Sequence, residues 1–109
     1  MTRARPGKDQ LLVILQRHIG RKSGVSAAYL SGALDCAERI VRDLVTELRS
    51  DGIAVCGHPA TGYFIAETKE ELEDTCAFLR SRAMHSLVLE AKLRQMPLAD
   101  LVGQLRLPT

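Results

Sequence analysis

Few side chains in this sequence are arranged to carry out a reaction. Ser23, Ser26, Ser31, Ser50, Ser81 and Ser86 lie outside any nucleophile motif, and His18, His58 and His85 are widely separated. There is no HExxH, no P-loop and no GxGxxG. Cys56-Gly57-His58 is the one metal-type pair, and without a second pair it cannot close a zinc site. These patterns predict no catalytic centre, no metal and no cofactor. The chemistry that remains is cationic. Arg39 and Arg42 stand three residues apart, a spacing that puts two guanidinium forks on one side of a helix. Such forks make bidentate contacts with phosphates or with guanine edges.

The balance of the chain qualifies that reading. Across 109 residues the net charge is only +2, with 46% hydrophobic and 26% charged residues, ordinary values for one soluble domain. The charge is unevenly placed. Through Lys22 there are six bases (Arg3, Arg5, Lys8, Arg17, Arg21, Lys22) against Asp9, a local +5, so the remainder is −3. Acids gather at Glu67, Glu70, Glu71, Glu73 and Asp74. A basic face toward phosphates fits this asymmetry, and so does a solvated basic leader. Cys36, Cys56 and Cys76 cannot all pair and none sits in a CxxC, which suggests free thiols in a reducing, cytoplasmic setting. The apolar run at residues 11–15 is too short for a signal or membrane segment.

Periodicity predicts the elements that must hold the arginines. A first helix spans residues 9–19, with Leu11, Leu12, Ile14, Leu15 and Ile19 inward and Gly20 as its C-cap. A polar connector covers residues 21–24. Ser26 caps a short second helix that buries Ala28, Tyr29, Leu30, Ala33 and Leu34. Asp35 and Glu38 form a capping-box start for a third helix over residues 35–49, with Ile40, Val41, Leu44, Val45 and Leu48 inward. A hairpin follows: Ile53, Val55 and Cys56 on one strand, a loop of about five or six residues from Gly57 to Gly62, and a second strand over residues 63–66. Thr68 and Glu71 open a long helix reaching Gln95 or Met96. Pro97 interrupts it, and Leu98, Leu101, Val102 and Leu105 mark a short final helix. The predicted class is mainly α with a small β-hairpin: a basic, flexible leader at 1–8, a winged helix-turn-helix at 9–66 and a C-terminal helical segment at 67–109.

Within that plan, residues 33–53 resemble the winged-helix regulators of the biotin-repressor-like family. The resemblance rests on Ala33-Leu34 before the turn, on Arg39-Ile40-Val41-Arg42 in the third helix, and on Leu48-Arg49-Ser50-Asp51-Gly52 before the wing. Gly62-Tyr63-Phe64-Ile65 is similar to that family's second wing strand. Where the family often carries Gly-Val-Ser, this chain has Asp35-Cys36-Ala37, with Cys36 as the small buried hydrophobe and Asp35 in place of Ala37 as the cap. The resemblance implies a DNA-binding transcription regulator with the third helix in the major groove.

The residues then fall into groups. Ala37, Glu38, Arg39, Arg42, Asp43 and Thr46 face the base edges, or else form a solvated charged face. Arg3, Arg5, Lys8, Arg21, Lys22 and Ser23 are candidates for the DNA backbone, while the wing offers only His58 and Thr61. Along the long helix Leu72, Cys76, Leu79, Ala83, Leu87 and Ala91 form a stripe, read as a homodimer seam or as a helix folded back on the domain. The expected partners are double-stranded DNA and a second copy, with no membrane. The alternative is a winged module that docks on a replication, transcription or assembly protein.

Overall fold

Leu11 and Leu15 lie one helical turn apart and both are fully buried, which seats the first helix, α1 (Lys8–Leu15), against the core. In the computed structural model, which describes residues 4–105, α1 is followed by a 3-10 turn (Arg21–Ser23), α2 (Ala27–Leu34) and α3 (Glu38–Ser50). Strands β1 (Val55–His58) and β2 (Gly62–Ile65) come next, then α4 (Lys69–Leu93) and α5 (Leu98–Leu105). The class is as predicted, helices with one antiparallel hairpin. Two compact units divide the chain, one through Thr75 and the other from Cys76 onward. The first therefore runs past Ala66 and takes in the opening turns of α4.

In the first unit Leu11, Leu15, Leu30, Val41, Leu44, Val45, Leu48 and Val55 form one buried cluster. The inward stripe of α3 matches its periodicity, with Ile40 partly buried at the margin. Three expectations about the first three helices are corrected. First, α1 stops at Leu15 with Gln16 as its C-cap, well short of Gly20. The backbone beyond it is claimed by β2, since Ile65 N–H donates to the His18 carbonyl (2.9 Å) and Gly20 N–H donates to the Ile65 carbonyl (2.8 Å). Ile19 consequently bridges β2 and is half exposed instead of lying in the core.

Second, α2 meets the core along a single ridge, Leu30 and Leu34. Ala28, Tyr29 and Ala33 face outward. Ser26 caps it as expected, its Oγ accepting from Tyr29 N–H at 3.0 Å. Third, Asp35 closes α2 instead of opening α3. It holds a left-handed backbone (φ 53°), and Cys36 N–H donates to the Ser31 carbonyl at 3.1 Å. That closure is the Schellman type, and Asp tolerates its backbone better than most residues. Thus α3 begins at Glu38, with Ala37 at the N-cap providing no side-chain bond. Cys36 is half-buried beside the core.

The hairpin is tighter than predicted. Gly57 and His58 belong to β1, and the loop is residues 59–61. Thr61 N–H donates to the His58 carbonyl at 3.0 Å and Gly62 follows at φ 75°, a turn plus left-handed residue that suits a three-residue connection. On its other side β2 pairs with the connector. Val25 N–H donates to the Tyr63 carbonyl (2.9 Å), and Tyr63 N–H donates to the Val25 carbonyl (2.7 Å). This approach leaves no room beside Gly24, where an added Cβ would lie 2.0 Å from the Thr61 carbonyl oxygen. Strand alternation sends Val55 to the helical core, while Cys56 and its partner Phe64 are buried on the opposite face. There the Cys56 thiol reaches the Glu71 carbonyl at 3.6 Å.

Thr68 caps α4 through its Oγ1, which accepts from Glu71 N–H at 3.1 Å. The second unit contains the remainder of α4 and α5. Here α4 ends at Leu93, slightly before the predicted limit. Gln95 turns left-handed (φ 55°), and Met96 N–H donates to the Ala91 carbonyl at 3.0 Å. Ala91 and Leu101 are buried, and Glu90 pairs with Arg94 at 2.7 Å. Among the described residues no helix is long and apolar enough to cross a membrane.

Candidate nucleic-acid interface

Burying Val41, Leu44, Val45 and Leu48 forces the opposite side of α3 into solvent. Ala37, Glu38, Arg39, Arg42, Asp43 and Thr46 are all exposed there. Along α3 the exposed side chains form two adjacent ridges at four-residue spacing, Arg39-Asp43-Glu47 and Glu38-Arg42-Thr46. Neither Arg39 nor Arg42 has an acidic partner among the described residues. Thr46 is less available than its exposure suggests. Its hydroxyl donates to the Arg42 carbonyl at 3.1 Å, and a phosphate, which accepts, would have to displace that bond.

Most of the bases expected to meet phosphates are otherwise engaged. Arg5 lies against α3, its Nη2 4.0 Å from Asp43 Oδ2 and 3.5 Å from Glu47 Oε2. Lys8 opens α1 and pairs with Asp51 Oδ2 at 2.6 Å. The hydrogen bond and then the charge of Asp51 raise the Lys8 pKa above its ordinary value. Arg21 pairs through Nη2 with Asp74. Lys22 and Ser23 remain exposed, with the Ser23 carbonyl accepting from His18 Nδ1 at 2.9 Å. Arg3 lies outside the described residues.

The wing holds its polar side chains inward upon itself. His58 Nδ1 accepts from Ala60 N–H at 3.0 Å, which places the neutral ring's proton on Nε2. Thr61 is half-buried, and its hydroxyl donates to the Gly62 carbonyl. Among the described residues no three His, Cys, Asp or Glu side chains gather as a metal-ligand set. On α4, Leu72, Cys76, Leu79 and Ala83 are exposed and Leu87 is half-buried. Ala91, which spacing places on the same stripe, is buried and cannot offer its side chain to a second copy.

Two residues that hold this surface together escape a reading by sequence motif. Arg49 Nε donates to the Val55 carbonyl at 2.8 Å, tying the end of α3 to β1. It stands in the Leu-Arg-x-x-Gly stretch, but nothing local shows that its target is a strand carbonyl. Glu71 does more than cap. Its Oε2 accepts Arg21 N–H (2.9 Å) and its Oε1 accepts Glu67 N–H (2.9 Å), so it joins the 3-10 turn to the start of α4. The bond from Arg21 N–H, then that from Glu67 N–H, lowers the Glu71 pKa below the usual carboxylate range. No known protein family, no curated protein and no solved structure matches the chain.

Proposed function

We propose that the protein binds duplex DNA with the outer face of α3, as a small transcription regulator acting as a cytoplasmic homodimer. One observation carries the reading. Arg39 and Arg42 stand exposed on the same face without acidic partners, while two of the three acids on α3, Asp43 and Glu47, are occupied by Arg5 and the third, Glu38, lies in its first turn. Such a face suits bidentate contacts with guanine or with phosphate. The resemblance of residues 33–53 to biotin-repressor-like regulators supports it. Dimerisation is supported by the exposed Leu72, Cys76, Leu79 and Ala83 of α4, and two copies would add their phosphate contacts.

The test is selection of bound sequences from random duplexes, followed by affinity measurements on the enriched site. Arg39→Ala and Arg42→Ala should each weaken binding by about 1–3 kcal/mol and relax the preference at one position. Absence of any duplex complex at low salt refutes the reading. A second reading, a protein-docking module, draws on a wing without Lys or Arg and on the uncharged outer face of α2 formed by Ala28, Tyr29, Gly32 and Ala33. Recovery of a protein partner after nuclease treatment, with no duplex retarded, favours it instead.

A further inference from the structure

The chain before α1 is directed by a reciprocal cap. Gly7 N–H donates to Gln10 Oε1 at 2.8 Å, and the Gly7 carbonyl accepts from Gln10 N–H at 3.1 Å. This cap carries Pro6 and Arg5 toward α3, where Arg5 sits between the carboxylates of Asp43 and Glu47. Asp51, just beyond α3, is held by Lys8. Three acids along and just beyond the C-terminal part of α3, Asp43, Glu47 and Asp51, therefore each have a cation from the N-terminal segment beside them, whereas Glu38 in the first turn has none among the described residues. Asp43 and Glu47 share a ridge with Arg39. A duplex that reaches Arg39 and Arg42 must bring its phosphates close to those two carboxylates, and like charges at such range repel.

We infer that Arg5, assisted by Lys8, is a positioning residue for the α3 surface: it neutralises the acidic edge of the helix and does not itself bind phosphate. The inference rests on the DNA-binding reading and specifies how the leader contributes to it. It reverses the role that the leader's charge suggests. The basic segment masks acids on its own chain, so the cations that meet DNA are those of α3. Because the ion pairs of Arg5 are exposed, they contribute little to folding, and the consequence of losing them is a change in binding.

A double-mutant cycle on the full chain tests this. Arg5→Ala should weaken binding to the selected duplex about three- to tenfold at about 50 mM salt, where screening is modest. Arg5→Lys should retain most of the affinity. In a background carrying Asp43→Asn and Glu47→Gln both acids that Arg5 pairs with are gone, and Arg5→Ala should then be silent. The thermal midpoint of Arg5→Ala should match that of the parent. An equal loss in both backgrounds overturns the mask and makes Arg5 a phosphate contact. No loss in either background overturns it as well. A parent protein without any duplex complex refutes the DNA reading and removes the mask with it, an outcome distinct from the other two.

Discussion

Gly62 shows how much of the candidate surface depends on a single backbone position. Its φ of 75° lies where only glycine is at ease, and an added Cβ would come within 2.4 Å of the Val25 carbonyl oxygen. Both the tight wing turn and the pairing of β2 with the connector depend on it. Gly62→Ala should lower unfolding stability by about 1–3 kcal/mol, read from urea denaturation monitored by circular dichroism. The polar side chains of the interface differ in the same detailed way. Thr46 and His58 look available by exposure, yet each already makes a local hydrogen bond, whereas Arg39 and Arg42 make none with an acid. Free hydrogen-bonding capacity, and not exposure alone, separates the residues suited to a ligand.

At the scale of elements, Glu71 links the 3-10 turn to the first turn of α4, both within the first unit, and the link is sensitive to acid. A carboxyl with its folded-state pKa depressed contributes stability above its unfolded value and loses it as pH falls through the folded one. Stability of the parent should therefore decline as pH drops below the ordinary value of 4.5, in part through Glu71. Glu71→Gln should be less stable at neutral pH and should show a shallower decline in acid, measured as the urea midpoint against pH. The regular stretches of α3, the hairpin and α4 were legible because their signals are local: apolar spacing, turn glycines and the Thr68 cap. Asp35 misleads because the same side chain suits an N-cap and a left-handed closure, and the Schellman bond to Ser31 decides between them. Ile19 misleads because its helical spacing is overruled by a strand far along the chain. The ion pairs of Arg5 and Lys8 are hidden for a related reason, since their partners lie on or just beyond α3. What the sequence conceals is mostly pairing between distant segments.

For the molecule as a whole, the modest net charge is less informative than how its charges are paired. Much of the excess of bases at the N-terminus is balanced by acids from α3 and α4, so long-range attraction to DNA from a single copy should be weak. Two linked copies would compensate through avidity. The apolar side chains exposed along α4 are the surface proposed for that association, and Leu79, 42% exposed, is a direct place to test it. Leu79→Glu should convert a species of twice the chain mass to a monomer in sedimentation velocity. It should also lower duplex affinity by roughly ten- to a hundredfold, while leaving α3 unchanged. A parent that sediments as a monomer at all concentrations counts against the seam.

The pairing of β2 on both sides also bears on the order in which this chain can complete itself. A growing polypeptide that has made only α1, α2 and α3 has no partner for the His18 carbonyl, for the Gly20 amide or for either backbone group of Val25. Those groups wait for Tyr63 and Ile65 to emerge from the ribosome. The three helices are thus not a finished intermediate to which a wing is later appended. The last strand closes a seam left open near the beginning of the chain, and bringing together segments so far apart carries a loop-closure cost that the local helices do not.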